Sequence, residues 1–148
     1  MDTTAIGQVG LDQQAATYGR GVAFPVALAP TSRVALSAGP ENIATALRVI
    51  LATEPGERLM LPAFGAGLRR FLFEPNIPAT HRQIEDAVRR AVTRWEPRVA
   101  VDAISVTAAR EDPAAARIDL HYRLVATGTA AELNVSVAVG AGARGGQA

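Results

Sequence analysis

The sequence contains no cysteine and no lysine, and each absence removes a class of chemistry. Without cysteine, the chain forms no disulfide, has no thiolate nucleophile and cannot hold zinc or an iron–sulfur cluster through sulfur. Without lysine, it forms no Schiff base and has no Walker phosphate loop. Its 15 basic residues are all arginine and face 14 acidic residues, so the formal net charge is +1. This charge favours neither nucleic acid nor an acidic lipid surface as a partner.

Long apolar runs are also missing from the chain. No stretch of about 18 consecutive apolar residues occurs, so neither a membrane-spanning helix nor membrane insertion is expected. The first residues lack the basic start and the apolar run of a signal peptide. These absences predict a soluble protein that is made and kept in the cytoplasm. The 148 residues, 49% of them hydrophobic, suffice for one domain with its own core.

The composition divides the chain into three parts. Residues 1–20 are polar and rich in glycine and glutamine, which indicates a flexible N-terminal arm. Residues 21–139 carry the apolar periodicity of a single domain. Residues 140–148 have too few apolar side chains to pack, and we expect a disordered tail there.

Helical periodicity dominates the first half of the predicted domain. A helix is expected at about residues 40–53, followed by a Pro-Gly turn of type II. A shorter helix is expected at about residues 67–73 and a long one at about residues 80–95. Thr80 and Gln83 stand at the spacing of a capping box, so they are expected to begin the long helix.

In the last third of the chain the apolar period changes to two. The alternation predicts strands at about residues 99–106, 118–124 and 133–139, the first with a bulge in its middle. Asp112-Pro113 and the Thr-Gly-Thr sequence at 127–129 mark the turns between them. The predicted fold class is therefore α+β. Two main helices and a short one would pack on one face of a small antiparallel sheet of three to four strands.

Candidate catalytic and ligand-binding groups are few. His81 and His121 lie far apart in sequence without a carboxylate at ligand spacing, so two solvated histidines and no metal site are expected. No Gly-x-Ser-x-Gly motif marks a serine nucleophile. Gly140, Gly142 and Gly145 have the spacing of a dinucleotide fingerprint, but the residues after them supply no helix for a pyrophosphate. We therefore expect no cofactor and no catalytic residue.

Paired carboxylates leave one enzymatic alternative open. Two acidic side chains at a suitable separation can hydrolyse a glycosidic bond. Glu57, Glu74 and Glu96 are the candidates for such a pair. A glycosidase that cleaves peptidoglycan is therefore an alternative, although the sequence alone does not set the distance between these carboxylates.

Arginine is concentrated between residues 61 and 98. Seven arginines face four acidic residues in this stretch. The pattern is typical of a solvated helix face or of a protein interface, because guanidinium groups can fork onto carboxylates. A small adaptor that binds an acidic protein partner is therefore a second alternative. The arginines concerned are Arg69, Arg70, Arg82, Arg89, Arg90, Arg94 and Arg98.

The segment Trp95-Glu96-Pro97-Arg98 forms a corner at the end of the long helix. Pro97 ends the helix because it disfavours helical geometry at the residue before it. The corner would hold Glu96 and Arg98 in fixed directions, with Trp95 as an apolar anchor. A helix stop with a local salt bridge and a protein contact site both fit this pattern.

Several of these segments form an ordered series that resembles a known family. In content and order the series is similar to the baseplate-wedge, or sheath-initiator, family of contractile phage tails, type VI secretion systems and extracellular contractile injection systems. The resemblance spans about residues 21–127, and its most specific parts are the Pro-Gly-Glu-Arg turn, the Pro-x-Phe-Gly-x-Gly-Leu stretch and the Glu-Pro-Arg corner. The segments are Phe24-Pro25, Ser37-Ala38-Gly39 and residues 50–58, 60–68, 72–76 and 94–98.

The resemblance implies a structural protein of a baseplate and not an enzyme. The family's wedge-contact element is the Glu-Pro-Arg motif, which falls here on Glu96, Pro97 and Arg98, next to Trp95. The implied partners are baseplate wedge proteins, sheath subunits that dock by strand addition, and the central spike or tube-base protein. The resemblance also implies several copies in a ring, within a phage tail-like or extracellular injection particle.

The last predicted strand has the character of a docking edge. It is rich in valine and uncharged from Asn134 onward, and an exposed edge of this kind either aggregates or accepts another strand. The sheath docking edge is therefore expected at Leu133, Val135, Val137 and Val139. Residues 130–134 depart from the family pattern of Asn-Leu and aromatic residues, so the chain's own N-terminal arm is an alternative cover for this edge.

Overall fold

The computed structural model describes residues 16–22, 26, 28 and 36–140. The chain divides into two compact units, residues 1–47 and 48–148, and the boundary falls within one helix. Most of the predicted arm, and the predicted tail after Gly140, lie outside the described residues. The three-part division of the chain therefore stays a prediction.

The first unit contains a two-stranded antiparallel sheet. β1 (Arg20–Val22) pairs with β2 (Leu36–Ala38). A Cβ atom on Gly21 would lie 2.3 Å from the Oδ1 atom of Asn42, so a larger residue there would displace the asparagine side chain. Asn42 also donates from Nδ2 to the carbonyl oxygen of Tyr18 at 3.5 Å. The asparagine thus ties this small sheet to the start of the helix that follows.

The helix α1 (Pro40–Ala52) has the predicted bounds to within one residue. Its apolar stripe of Ile43, Leu47, Ile50 and Leu51 is at most 4% exposed, as the 3.6-residue period predicts. The chain then turns at Pro55-Gly56. The N–H of Glu57 donates to the carbonyl of Glu54 at 3.1 Å, and Gly56 has a φ of 95°. These values confirm the predicted type II turn.

The long helix begins two residues before its predicted start. In α2 (Pro78–Trp95) the proline occupies the first turn, Ile77 is the N-cap residue and no side chain caps the end. The predicted capping box of Thr80 and Gln83 is therefore wrong, and Thr80 is buried. Proline replaces the cap here because it has no N–H to satisfy and its φ suits a helix. At the other end, the helix stops at Trp95 as predicted.

The predicted short helix is a single 3-10 turn, Leu68–Phe71. Gly67 precedes it with a φ of 67°, a left-handed conformation that ends any helix extending backward. Leu68 and Phe71 of this turn are buried, whereas the two arginines between them are exposed.

Three strands form an antiparallel meander in the order β3-β4-β5. They are β3 (Val99–Ala108), β4 (Ala115–Leu124) and β5 (Ala130–Ala138). The register of β3 against β4 shifts between Val101 and Ala103, which confirms the predicted bulge. β5 begins three residues before its prediction, and Val139 lies just beyond its end.

Within the second unit the core lies between the three-stranded sheet, α2 and the 3-10 turn, and the predicted α+β class is confirmed. The 3-10 turn contacts both α2 and β5, and α2 packs along β3. The inward side chains of β4 are almost fully buried, whereas those that alternate with them are mostly exposed. None of the helices in the described ranges is long and apolar enough to cross a lipid bilayer.

Candidate protein-docking site

The three motifs that carry the family resemblance meet in one stack of side chains. Phe64, from the Pro-x-Phe-Gly-x-Gly-Leu stretch, lies against Trp95 with ring centroids 5.3 Å apart and planes tilted by 55°. The guanidinium carbon of Arg58, from the Pro-Gly-Glu-Arg turn, lies 4.1 Å from the centroid of Phe64. Arg94 lies over Trp95 at 4.7 Å. Contacts of this kind each contribute about 0.5–1.5 kcal/mol, so the stack holds the loop after α1 to the end of α2.

The loop that carries Phe64 depends on a glycine. Gly65 has a φ of 116°, and a Cβ atom there would lie 2.2 Å from the carbonyl oxygen of Thr53. The next residue, Ala66, donates its N–H to the carbonyl of Ile50 at 3.0 Å. Any side chain at position 65 would push the loop away from the end of α1 and displace Phe64 from the stack.

Two glutamates hold the same loop in place. The Oε1 atom of Glu54 accepts the backbone N–H of Arg69 at 2.8 Å, and the Oε2 atom of Glu57 accepts the N–H of Glu54 at 3.1 Å. Glu57 also forms an ion pair with Arg69 at 3.4 Å. From the sequence, both glutamates are acids that flank a turn, and neither is predicted to hold the loop. Only the position of both glutamates beside a Pro-Gly turn signals this role.

The corner after α2 is closed by an ion pair between Glu96 and Arg98. The Nε and Nη2 atoms of Arg98 donate to the two carboxylate oxygens of Glu96, each at 2.6 Å. The Arg98 backbone N–H donates to the same carboxylate at 3.3 Å. Glu96 is only 3% exposed, whereas the Arg98 side chain is 36% exposed. The hydrogen bonds to Glu96 raise the pKa of Arg98 above its usual range, although burial opposes this change.

The corner therefore presents a fixed shape and not two open charges. Both carboxylate oxygens of Glu96 are engaged by Arg98, so the accessible surface of the corner consists of Pro97, part of Arg98 and the half-buried Trp95. The carbonyl of Arg98 accepts the N–H of Val125 at 2.9 Å, which ties the corner to the hairpin beside it. A wedge-protein contact at these four residues, Trp95 to Arg98, stays a prediction.

The hydrogen-bond phase of the β4–β5 pair follows from its two ends. Leu124 donates its N–H to the carbonyl of Thr129 at 2.9 Å, and Val139 donates to the carbonyl of Ala114 at 2.7 Å. Bonded pairs alternate along an antiparallel ladder, so the odd-numbered residues of β5 bond to β4. The residues whose backbone groups point to the open edge are Ala130, Glu132, Asn134, Ser136 and Ala138.

The residues predicted to form the docking edge have a different placement. Leu133 is 3% exposed, and Val135 and Val137 are partly buried on the face that packs against the helices. Val139 lies beyond the strand, fully buried, with its N–H bonded to Ala114. β5 is an edge strand, but the backbone N–H and C=O groups that point to its open edge belong to the residues between the predicted ones. Sequence alternation identified the face of each side chain but not the direction of its backbone groups.

The other edge strand of the sheet, β3, is partly covered, whereas β5 is open. β3 carries the bulge at Val101 to Ala103, and the Oε1 atom of Glu85 on α2 accepts the N–H of Val106 at 3.2 Å. Bulges and side-chain caps of this kind prevent pairing with another strand. Within the described ranges, the ladder of β5 shows no register shift and its outward backbone groups meet no such cap.

An apolar groove of about 170 Å³ adjoins the open edge. It lies among the end of α1, the 3-10 turn and the last residues of β5, and its exposed lining is mainly apolar. The groove continues the inner face of the sheet beyond β5. Its lining residues are Leu51, Ala52, Glu54, Leu68, Arg69, Leu72, Val137 and Ala138.

The two histidines do not share a site. The Nε2 atom of His81 lies 2.6 Å from the Oδ1 atom of Asn76, whose Nδ2 donates to the carbonyls of Pro113 and Ala115. His81 is half-buried, so the expectation of a solvated side chain is wrong for it, whereas His121 is exposed on the outer face of β4. Among the residues with described positions, no three His, Asp or Glu side chains gather into a set that could hold a metal ion.

The three candidate acids of a glycosidase lie in different settings. The carboxylate of Glu57 is paired with Arg69, and that of Glu96 is held by Arg98. Glu74 is exposed and lines a cleft with Phe71, Gln83 and other side chains of α2. Two of the three carboxylates therefore serve local structure.

Comparison with known sequences gives relatives of one kind. A model of the family described as baseplate wedge protein gp25 matches residues 37–129. Baseplate protein W of Escherichia phage P2 is 40% identical over 70 residues, which are 47% of this chain and 59% of the phage protein. Baseplate wedge protein gp25 of Enterobacteria phage T4 is 34% identical over 79 residues, 53% of this chain and 60% of that protein. The matches thus span about three fifths of these relatives.

Comparison with solved structures extends the likeness to the fold. A chain of the anti-feeding prophage baseplate has a TM-score of 0.71 and 31% identity, covering 76% of this chain and 90% of that one. A Geobacter sulfurreducens chain, provisionally named a tail lysozyme, has a TM-score of 0.65 and 32% identity, covering 71% and 95%. Since the family model spans well over half of the sequence and its motifs meet in one stack, the chain belongs to the baseplate wedge protein gp25 family.

Proposed function

We propose that this chain is a structural component of a phage tail-like contractile particle that joins baseplate wedge proteins to the first ring of the sheath. The open edge of β5 carries the proposal, because an unprotected edge is rare unless a partner covers it. The relatives support the setting, since they are baseplate proteins of two phages and of an anti-feeding prophage.

The sheath side of the proposal is strand addition along β5. The outward backbone groups of Glu132, Asn134, Ser136 and Ala138 would pair with an extended segment of a sheath subunit. Each hydrogen bond contributes only about 0.5–1.5 kcal/mol, so several bonds and several copies around a ring are needed. The apolar groove beside β5 would receive inward side chains of the added strand.

The wedge side of the proposal is the corner from Trp95 to Arg98. Its ion pair and its aromatic stack fix the shape of this corner before any partner arrives. A preformed surface loses little conformational entropy on binding. The exposed Pro97 and the adjoining part of Arg98 would form the contact.

The sheath contact is tested by Ser136→Pro in a host that produces the particle. Ser136 directs its N–H outward, so proline there removes a docking bond and leaves the β4–β5 ladder intact. We expect baseplates that contain the protein but carry at least about tenfold fewer sheaths in electron micrographs, the effect of losing about 1.4 kcal/mol per contact. Ser136→Ala keeps the N–H and should give normal sheaths. Normal sheaths with Ser136→Pro would overturn strand addition at this edge.

The wedge contact is tested by the double change Glu96→Ala and Arg98→Ala. The matched control is Asp102→Ala with Arg123→Ala, which removes an exposed ion pair of the same bidentate type, with contacts of 2.8 and 3.0 Å. We expect the first variant to fold but to be missing from purified baseplates, and the control to be incorporated normally. Normal incorporation of the first variant would rule out the corner as the wedge contact.

Peptidoglycan cleavage is a second candidate function, favoured by the provisional name of the Geobacter sulfurreducens relative. Of the three candidate acids, Glu74 has the most open carboxylate, since Glu57 and Glu96 are ion-paired. Purified protein added to a peptidoglycan suspension decides between the two. Turnover that is abolished by Glu74→Gln would favour the enzyme, whereas no turnover by the unaltered protein favours the structural role.

A further inference from the structure

A second groove, of about 190 Å³, lies between α2 and the loop that leads into the 3-10 turn. Three arginines line it: Arg70 from the turn, and Arg90 and Arg94 from α2. The rest of the lining is small apart from Trp95, and it consists of Ala63, Gly65, Ala66, Ala87 and Ala91. The charged residues that line this groove are all arginines.

The three guanidinium groups have no anionic partner within the described part of the chain. Arg94 lies over Trp95, and Arg70 lies over the ring of Phe71 at 4.7 Å, but neither they nor Arg90 form an ion pair there. Arg90 and Arg94 stand one helical turn apart, where like charges repel each other and destabilise a helix. An anion in the groove would relieve this repulsion.

Two carboxylates compete for these arginines without neutralising them. Glu74 and Asp86 line the adjoining cleft together with Arg70 and Arg90. Asp86 precedes Arg90 by one turn of α2, yet no ion pair forms between them. The cationic groove therefore opens beside a mixed cleft, and its own lining stays positive.

We propose that this groove binds an acidic segment of a partner protein. Guanidinium groups fork onto carboxylates, and the small side chains around the arginines allow a peptide main chain to approach closely. Nucleic acid fits less well, because base binding needs open aromatic faces. Phe64 and Arg94 cover Trp95, and Phe71 is buried beneath Arg70. This contact is separate from the β5 edge and extends the surface of the proposed wedge-contact corner, with which it shares Trp95.

The test is fluorescence anisotropy of the full chain with a labelled peptide of alternating Glu and Ala. At a salt concentration of about 0.15 M we expect saturable binding that weakens at least about tenfold when Arg70, Arg90 and Arg94 are all changed to Gln. The matched control changes three other exposed arginines to Gln and therefore has the same net charge as the first variant. These residues are Arg82, Arg89 and Arg110. We expect this control to weaken binding by less than about twofold, since charges that do not contact the peptide are screened.

Further variants distinguish the contribution of the guanidinium fork to binding from that of charge, and a loss of contacts from misfolding. Changing the same three arginines to Lys keeps the charge but removes the fork, so an intermediate loss of affinity is expected. Asp86→Asn removes the competing carboxylate and should strengthen binding. Three results would overturn the proposal. They are no saturable binding by the unaltered protein, equal losses in the two Gln variants, and tighter binding of an oligothymidylate of matched charge.

Discussion

The two edges of the three-stranded sheet differ in what covers their backbone groups. At β3 the strand follows directly from the Glu96–Arg98 corner, bulges at Val101 to Ala103, and has its Val106 N–H capped by Glu85. At β5 the strand keeps an even register against β4. Its outward groups meet no partner among the residues described.

The difference leaves β5 as the edge whose outward backbone groups are uncovered within the described residues. A protein that had only to remain monomeric would protect both edges. This chain protects the β3 edge with a bulge and a side-chain cap, whereas the β5 edge has neither among the described residues and adjoins an apolar groove. The asymmetry is the observation that supports the proposal of strand addition at β5.

The largest expected effect is the loss of stability when proline replaces a residue of β5 whose N–H bonds to β4, compared with a residue whose N–H points outward. Val135 directs its N–H to β4, so Val135→Pro should lower the free energy of unfolding by about 3 kcal/mol or more. Asn134 directs its N–H outward, and Asn134→Pro should cost about 1 kcal/mol or less. Urea unfolding followed by the fluorescence of Trp95 measures both. Equal losses would mean that the assigned hydrogen-bond phase is wrong.

The next effect concerns the corner that leads into β3. Arg98→Ala leaves the buried Glu96 carboxylate without its partner, and the free energy of unfolding should fall by about 3 kcal/mol, the lower end of the range for buried pairs because Arg98 is 36% exposed. Glu96→Ala leaves an arginine that can turn to solvent, so about 1 kcal/mol is expected. Thermal and urea unfolding compare the two. A larger loss for Glu96→Ala would contradict a closed corner.

A smaller effect is expected from uncovering the β3 edge. Glu85→Ala removes the cap on the Val106 N–H and should cost about 1 kcal/mol. The freed edge should also make the protein self-associate as its concentration rises, which sedimentation velocity detects. The control is Asp86→Ala, at an exposed neighbouring position on α2 that makes no hydrogen bond to β3 within the structure described. Identical behaviour of the two variants would show that Glu85 does not guard this edge.

The smallest expected effect is a pH dependence of stability that arises in β4, the strand that pairs with both edge strands. Burial raises the pKa of Tyr122 above its usual range, and the nearby Arg48 opposes this in part. Because the pKa of Tyr122 is higher in the folded state than in the unfolded state, its protonated form contributes to the free energy of unfolding. This contribution is complete below about pH 10 and is lost as the pH rises through the folded-state pKa. Tyr122→Phe should flatten the fall in stability above that pH. Urea midpoints across a pH series test this, and an unchanged slope would contradict it.

The sequence predicted the features that depend on neighbours along the chain. The bounds of α1, the type II turn at Pro55-Gly56 and the bulge in β3 follow from local periodicity and from glycine and proline chemistry. The capping box failed because Pro78 starts α2 without a side-chain cap. Local signals thus located most elements, and one local signal was overridden by another.

The candidate site was predicted less completely because its contacts join distant residues. Glu85 meets Val106 across 21 positions, and Arg69 meets Glu54 across 15. The direction of each backbone group on β5 depends on the register with β4, which no property of β5 alone determines. The sequence therefore predicted the last strand of the sheet, but only the structure distinguishes the inner from the outer hydrogen-bonding groups of β5.

Residue-resolved hydrogen exchange tests strand addition at β5 most directly. The amides of Asn134 and Ser136 should exchange rapidly in the isolated protein and become protected in the sheathed particle. Those of Val135 and Val137 should be protected in both, because they bond to β4. Rapid exchange of Asn134 and Ser136 in the particle, or their protection in the isolated chain, would contradict the account.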